Sequence, residues 1–425
     1  MAKAAGLLPV VPQAAAVPLA ERILRIVLYV TVLASSIAFI EPSPHDALMG
    51  VLAIACLAAG VHFQRALAVP LALLLVWNFA GMMALMPVVG QEKTLQYTGT
   101  SIYLAIAALL FACIFSQNTM PRLAAMRAAY VLTATVITLA AIAGYFSLFP
   151  GAHELFAPFD RALGAFKDPN VFGPFLIWPL LIVLERMIVR RIRMTDIIVV
   201  GILSFGLLVS FSRGAWLHAA ASGAIMLALA FLTAPTQRVR VRIFFMGATG
   251  VLALAAFIVM LLSFESIWTM FEQRAQLIQD YDVGGGGRFN LQQLALGAVL
   301  KFPNGMGPYE FARVYGLQQH NVYLQSFLVY GWVGGIAYTM LLLTTLWIGF
   351  RTLLLRTPWQ PYLLTAYATF VGEVLEGFVI DTDHWRHFYL LLGVIWGLAA
   401  ATISQTRQVQ LPNHRFNVVP DVSAA

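Results

Sequence analysis

Long apolar runs alternate with short polar breaks along almost the whole chain. A bilayer core about 30 Å thick requires about 20 apolar residues per helix, and most of the runs approach that length. The pattern therefore predicts about twelve transmembrane helices. Their predicted bounds are 22–40, 46–62, 66–87, 99–116, 124–147, 171–188, 197–211, 214–233, 244–264, 322–350, 361–380 and 388–404.

Two polar gaps, at 148–170 and 265–321, are too long to be simple turns. Long loops with mixed charges are usually functional or disordered. Apolar positions recur at helical spacing in the second loop, which predicts an amphipathic helix against the membrane domain. These positions are Leu291, Leu294, Ala295, Ala298 and Val299. The expected fold is all-α: a polytopic transmembrane helix bundle with a long, partly helical extracytoplasmic loop.

Composition supports the membrane assignment and restricts the partners. Hydrophobic residues make up 60% of the chain and charged residues 11%, which is more apolar surface than a soluble domain can bury. Cys56 and Cys113 lie inside apolar runs, so we expect small buried residues, with neither a disulfide nor a metal site. The net charge of +7 comes from basic clusters in the short gaps between apolar runs. The positive-inside bias of proteins in a lipid bilayer explains this pattern, so we expect no nucleic-acid partner.

The basic clusters also predict the orientation. They all fall on one side if the helices alternate, and positive residues mark the cytoplasmic side. Residues 1–21 and 405–425 are then a cytosolic lead-in and tail around a membrane domain at 22–404, and both long loops face outward. The clusters are Arg65; Arg122 and Arg127; Arg190, Arg191 and Arg193; Arg238, Arg240 and Arg242; Arg351 and Arg356.

Three arginines lie on the side of the membrane where the predicted orientation leads us to expect few basic residues. Arg161 is in the first outer loop, Arg213 stands between two apolar runs, and Arg288 follows the glycines 284–287, whose amides can approach an anion. A buried arginine costs about 2.5–3.5 kcal/mol at the bilayer centre, so one at its edge needs a partner or a wet cavity. The guanidinium group suits phosphate. The alternatives are an arginine at the lipid headgroups for Arg213 and an ordinary loop charge for Arg288.

His320 is the best candidate for a general base, since it stands where the second loop re-enters the membrane. An imidazole can accept a proton from a sugar hydroxyl near neutral pH. A purely structural histidine is the alternative. Its predicted position on the same side as the three arginines favours the chemical role.

Other polar groups have simpler interpretations. A cluster in an outer turn resembles metal ligands by type, but polar residues also face water there, and we expect no metal. It comprises Asp381, Asp383, His384 and His387. Glu373 and Glu376 share a helix face inside an apolar run. This pattern is typical of a proton or ion relay, and pairing with a basic residue of the active cavity is the alternative. Asp168 and Asn170 are typical of a turn and helix cap, and Ser222 lacks the ordered histidine of a serine protease.

In the order and spacing of its motifs over residues 95–400, the chain resembles the O-antigen ligase and polymerase superfamily of membrane glycosyltransferases. One departure is Tyr330, where the family often has an acidic residue before a glycine, so no role of that carboxylate transfers. The matching segments are Gly164–Gly173 with Asp-Pro-Asn and Phe-Gly, Ser212-Arg213-Gly214, Gly287-Arg288, Phe302-Pro303-Asn304-Gly305-Met306-Gly307, and His320-Asn321-Val322-Tyr323-Leu324-Gln325 followed by Gly331 and Gly334.

The resemblance implies transfer of a glycan from an undecaprenyl-diphosphate carrier to an acceptor hydroxyl, with inversion and without a cofactor, on the periplasmic side of a bacterial inner membrane. Arg213 and Arg288, with Arg161, would bind the diphosphate, and His320 would activate the acceptor. The supporting residues would be Asn321, Tyr323 and Asn170. The acceptor, a lipid A core, a further glycan repeat unit or a protein, stays open, as does the choice between ligase and polymerase.

Two alternatives from other classes remain. A secondary transporter or flippase would use Glu373 and Glu376 as coupling groups. A scaffold of a polysaccharide export complex would need no catalytic residues.

Overall fold

The structure, a computed structural model, describes residues 17–189, 192–275 and 287–410. Arg190, Arg191, the glycines 284–286 and most of both terminal segments therefore lie outside the described residues. Within the described ranges the chain forms sixteen α-helices and no β-strand. These are α1 Leu19–Leu33, α2 Pro44–Ala58, α3 Ala68–Leu85, α4 Glu92–Phe115, α5 Thr119–Tyr145, α6 Ala152–Phe156, α7 Pro169–Val189, α8 Met194–Val209, α9 Arg213–Thr233, α10 Gln237–Leu261, α11 Glu265–Ala275, α12 Arg288–Lys301, α13 Glu310–Tyr315, α14 Val322–Leu353, α15 Gln360–Glu376 and α16 Arg386–Gln410.

Each of the twelve predicted spans overlaps one helix of the bundle. These twelve helices are α1 to α5, α7 to α10 and α14 to α16. Eight helical segments of the described chain are long and apolar enough to cross a membrane; they contain α3, α4, α5, α7, α9, α10, α14 and α16. Helices α2 and α8 are apolar but shorter. The prediction of an all-α polytopic bundle is confirmed, and α6 and α11 to α13 lie in the two predicted outer loops.

Helix α16 forms the centre of the bundle and α10 its periphery. The most apolar window of α16 is 89% buried, whereas that of α10 is 6% buried and faces the surroundings. Glycines let α16 approach α4 closely: a Cβ at Gly393 would lie 2.5 Å from the Phe111 Cβ, and one at Gly397 2.7 Å from the Ala112 carbonyl oxygen. Small residues commonly allow such close helix contacts in membranes.

Helix α14 is broken at Gly331, although the sequence predicted one continuous span at 322–350. Gly331 has φ 69° and ψ −176°, a conformation that is essentially restricted to glycine. The freed Trp332 N–H donates to the Pro303 carbonyl (2.8 Å), and the Met306 N–H donates to the Leu328 carbonyl (2.6 Å). The loop that follows α12 is thereby bound to the break.

The amphipathic helix predicted in the second outer loop is α12. Its buried residues pack with Phe311 and Leu328 in a small hydrophobic cluster separate from the main core. The prediction was wrong for Leu294, which remains 38% exposed. The Trp332 indole also donates to the Val299 carbonyl (2.8 Å), so α12 is bound to α14 at its C-terminal end. The buried residues of α12 are Leu291, Ala295, Ala298 and Val299.

Candidate functional site

A cavity of about 360 Å³ opens at one end of the bundle, and we call it the arginine cavity. Its walls come from both predicted outer loops, the α8–α9 turn and the α15–α16 turn. Five of the seven residues to which the resemblance assigned a role in the site line it, and Arg274 joins them. Those five are Arg161, Asn170, Arg213, Arg288 and His320.

Three helices begin at this cavity. Arg213 is the first residue of α9, Arg288 the first of α12, and Asn170 the second of α7. Amide groups in the first turn have no partner within the helix, and the helix dipole adds positive potential there, so helix N-termini bind anions. Four arginines also line the cavity, against the three carboxyl groups of Asp168, Glu376 and Asp381, and this arrangement favours an anionic ligand such as a diphosphate.

Arg161 connects the first outer loop to two helix ends. Its Nε donates to the Ser210 carbonyl and its Nη2 to the Asn170 Oδ1, both at 2.9 Å. Asp168 caps α7 by accepting from the Asn170 N–H (2.7 Å), as the sequence predicted. Asn170 therefore positions Arg161 against the start of α7.

Gly214 lets the Glu376 carboxyl group lie against the first turn of α9. A Cβ there would lie 2.8 Å from the Glu376 Oε1, so a larger residue would require this carboxyl group to shift. The other oxygen, Oε2, lies 2.7 Å from the Nδ1 of buried His218, whose Nε2 lies 3.0 Å from the Thr369 carbonyl. Since a carbonyl only accepts, Nε2 carries a proton, and a further proton lies between His218 and Glu376.

The two glutamates of α15 thus do not share one site. Glu376 lines the arginine cavity, whereas Glu373 is fully buried elsewhere, with its Oε1 3.4 Å from the His387 Nε2. The Ser222 hydroxyl, near His218, has no hydrogen-bond partner among the described residues. Glu376 is thus paired with buried His218, which does not line the arginine cavity, while Glu373 contacts His387.

His320 stands at the end of the second outer loop in a strained conformation. Its φ of 49° is in the left-handed region, which is uncommon for residues other than glycine and occurs often at functional sites. The imidazole is 48% exposed, and its Nδ1 lies 3.7 Å from the Asp381 Oδ2. The His320 carbonyl accepts from Gln292 of α12 (3.5 Å).

Asn321 and Tyr323 position His320 and do not line the cavity. Asn321 caps α14 by accepting from the Leu324 N–H (3.0 Å) and donates to the Phe378 carbonyl (3.1 Å). The Tyr323 hydroxyl donates to the Val374 carbonyl (2.6 Å). These contacts bind the start of α14 to the end of α15, which brings His320 next to Asp381.

The polar cluster of the α15–α16 turn is divided among different partners. Asp381 faces His320, while Asp383 accepts from the Tyr97 hydroxyl (2.6 Å) and lies 3.2 Å from the His384 Nδ1. Among the described residues, no group of three or more His, Cys, Asp or Glu side chains is placed to bind a metal ion.

Charge and burial act differently on the two aspartates of this turn. Burial raises the pKa of Asp381, against the opposing contact with His320. Burial would also raise the pKa of Asp383, but the His384 charge and the hydrogen bonds of Asp383 lower it below its usual value. Burial acts to lower the pKa of His384, but the Asp383 charge raises it above the usual value. The contact between Asp383 and His384 therefore favours the charged form of each group.

Sequence reasoning missed Arg274 and the pairing of Asp381 with His320. Arg274 is one of many charges in the second outer loop, and only the docking of α11 brings it to the cavity. Asp381 lies 61 positions after His320, within a cluster whose residue types suggested metal ligands. No local signal in the sequence distinguishes either residue.

Residues 198–339 match the protein-family model described as O-antigen ligase. This match confirms the resemblance that the motifs indicate. The matched segment includes Arg213, Arg274, Arg288 and His320, whereas Arg161 and Asp381 lie outside it. A comparison with curated proteins found no significant match.

Proposed function

We propose that this chain, whose residues 198–339 match the O-antigen ligase family, is a membrane glycosyltransferase that moves a glycan from an undecaprenyl-diphosphate carrier to an acceptor hydroxyl. We place this reaction on the periplasmic side of the inner membrane. One observation carries the proposal: four arginines, three helix N-termini and a strained histidine converge on one cavity.

The arginines would bind and stabilise the diphosphate. When the bond between the glycan's anomeric carbon and the phosphate oxygen breaks, the electron pair stays on that oxygen, and negative charge on the diphosphate increases. Groups already directed at this growing charge lower the barrier, since they need no reorganisation. Guanidinium groups and amides supply the stabilisation that a divalent metal gives elsewhere, so no metal is required.

His320 would take the proton from the acceptor. As the acceptor oxygen bonds to the anomeric carbon, its proton moves to the imidazole, and undecaprenyl diphosphate leaves on the opposite face of the sugar. The products are the glycosylated acceptor with an inverted anomeric centre and the free carrier diphosphate. Asp381 faces the Nδ1 of His320, which orients the Nε2 towards the acceptor.

A secondary transporter or flippase is the second candidate, and the Glu376–His218 pair favours it. A buried carboxyl group that shares a proton with an imidazole inside a membrane domain is suited to carry that proton. This candidate predicts movement of the glycan lipid without a change in its covalent structure.

The deciding experiment uses the purified full-length protein in detergent with a radiolabelled lipid-linked glycan. Either a lipid A core or a second lipid-linked repeat unit is added as acceptor. We expect labelled, larger glycan and an equal amount of free undecaprenyl diphosphate. An unchanged donor with both acceptors contradicts the proposal. Reconstitution into vesicles, with a measurement of which leaflet holds the donor, then tests the transporter.

A further inference from the structure

A second cavity, of about 650 Å³, lies beside the arginine cavity and shares Asp381 and Trp385 with it. We call it the tyrosine cavity, after Tyr97, Tyr103 and Tyr309 in its wall. Its volume is within the range of about 300–1,000 Å³ that is common for small-molecule sites. None of the roles assigned above to the arginine cavity uses it.

The chemistry of its wall differs from that of the arginine cavity. The side chain of Arg386, the one arginine in this wall, is paired with Asp46 through two hydrogen bonds (3.0 and 2.8 Å). His384 is paired with Asp383. Glu41 is paired with Lys167 (2.7 Å). The remaining polar groups are mainly amides and hydroxyls together with the carboxylate of Asp381, and they do not attract a diphosphate. The amides are those of Gln96, Gln318 and Gln325.

This combination of aromatic rings, carboxylates and amides suits a sugar. A pyranose ring has apolar C–H faces that pack against aromatic rings, and hydroxyl groups that donate to carboxylate and amide oxygens. The Tyr97 and Tyr309 rings stand edge to face at 5.4 Å, and Trp385 extends the aromatic wall to the arginine cavity.

The two cavities meet at Asp381 and Trp385, next to the proposed general base. Gln318 lines the tyrosine cavity, His320 lines the arginine cavity, and Asp381 lines both. Inversion requires the acceptor to attack from the face opposite the leaving diphosphate. Two separate cavities that share Asp381, the residue facing His320, allow this approach.

We propose that the tyrosine cavity binds the acceptor glycan, with the attacked hydroxyl directed at His320 past Asp381. The inference rests on the proposed function and adds the location and chemical class of the second substrate. The ligand is a carbohydrate with a free hydroxyl, carried either by a lipid A core or by a second lipid-linked repeat unit.

Gly99 of α4 offers a position from which a larger side chain can extend into this cavity. Gly99 lines the cavity, and a Cβ there would meet no atom within 4 Å. The Gly99→Trp side chain would occupy space that the acceptor needs. Gly50 of α2 is a matched control, because its Cβ also meets nothing within 4 Å and it lines neither cavity. Gln96→Ala is a milder second variant that removes one amide from the wall.

The test measures the acceptor KM with each acceptor and the Kd of the radiolabelled donor for the purified full-length variants. For Gly99→Trp we expect the acceptor KM to rise about tenfold or more, equivalent to about 1.4 kcal/mol, with an unchanged donor Kd. Gln96→Ala should show a smaller rise, and Gly50→Trp none. The acceptor that supports transfer distinguishes a ligase from a polymerase.

Three results would count against the inference, and they can be told apart. If the wild type transfers glycan but Gly99→Trp and Gln96→Ala keep its acceptor KM, the acceptor binds elsewhere. If Gly99→Trp alone weakens donor binding, the cavity serves the donor. If the wild type uses neither acceptor, the proposed function itself fails.

Discussion

At the scale of single residues, the proposed mechanism gives His320 and the arginines separate tasks. His320 has a strained backbone conformation, and contacts at the start of α14 hold it with its imidazole facing Asp381. Arg213 and Arg288 begin two helices at the same cavity, so each adds a guanidinium group to a helix N-terminus. Binding and proton transfer should therefore respond to different substitutions.

His320→Ala should bind the donor normally and turn over about 10² to 10⁴ times more slowly, because it removes the base and leaves the phosphate contacts intact. Donor Kd and single-turnover rate are the measurements. His153→Ala is the control, since His153 pairs with Asp160 (3.1 Å) and does not line the arginine cavity. Wild-type turnover in His320→Ala would refute the base assignment.

A double-mutant cycle separates a positioning role of Asp381 from an independent one. Asp381→Asn should slow turnover in the wild-type background and have little further effect in His320→Ala, because residues that act as a unit are not additive. An equal loss in both backgrounds would show that Asp381 acts without His320.

Arg213→Ala and Arg288→Ala should weaken donor binding and also lower kcat. A hydrogen bond to a charged group is worth about 1.5–3 kcal/mol, which predicts about a tenfold to hundredfold loss of donor affinity for each. The fall in kcat follows because the leaving diphosphate gains charge. Arg313→Ala is the control, since Arg313 is exposed, pairs with Glu310 (2.6 Å) and does not line the cavity. Unchanged Kd and kcat in both variants would contradict the glycosyltransferase proposal.

At the scale of the elements, the break in α14 determines where the second outer loop lies. The 302–307 loop binds to the backbone at Gly331, and α12 binds to Trp332, so the position of Arg288 depends on this break. A continuous helix would provide no free N–H at Trp332 for the loop.

Gly331→Ala should lower both the melting temperature and turnover. The backbone conformation alone costs about 1–3 kcal/mol for a residue other than glycine. A Cβ would also lie 2.7 Å from the Asn304 carbonyl carbon, so the loop must shift. Gly297→Ala in α12 is the control, because its Cβ meets nothing within 4 Å. Thermal unfolding in detergent and the transfer assay check both effects, and equal melting temperatures would disprove the account.

At the scale of the whole molecule, the two outer loops and two interhelical turns meet at one end of the bundle, where they build the cavity. The polar gaps at the opposite end of the bundle carry the basic clusters. Some of their arginines form ion pairs within the protein, such as Arg122 with Glu21 (2.8 Å). The positive-inside rule then predicts that the cavity end faces away from the cytoplasm.

Cysteine labelling tests this orientation in a background in which Cys56 and Cys113 are replaced by alanine. Phe159→Cys and Leu317→Cys lie at exposed positions of the two outer loops and should react with a membrane-impermeant thiol reagent in intact spheroplasts. Gln237→Cys, exposed at the start of α10, should react only after lysis. The reverse pattern would overturn the orientation.

Chelation tests whether the diphosphate is stabilised without a divalent metal ion. If the arginines and helix N-termini stabilise the diphosphate, turnover of the purified protein should persist in EDTA. The initial rate with and without added Mg²⁺ is the measurement. A rate that collapses in EDTA and returns with a divalent metal would assign a metal to the reaction and refute this mechanism.

The sequence by itself determined the apolar helices of the bundle and the residue types of the candidate site. Each predicted span overlaps one helix, because a backbone in hydrocarbon must satisfy its hydrogen bonds within its own helix. Eight of the helical segments in the described chain are long and apolar enough to cross a membrane. Arg161, Arg213, Arg288 and His320 stood out because their chemistry is unusual at an outer membrane edge.

Only the tertiary structure decided which distant residues meet. The pairing of His320 with Asp381 and of His218 with Glu376, and the position of Arg274, depend on how α9, α11, α14 and α15 pack. The same is true of the break at Gly331 and of the tyrosine cavity, which joins residues of α4 to the α15–α16 turn. Periodicity within one helix reports which face is apolar, but the partner of that face depends on the packing of the whole bundle.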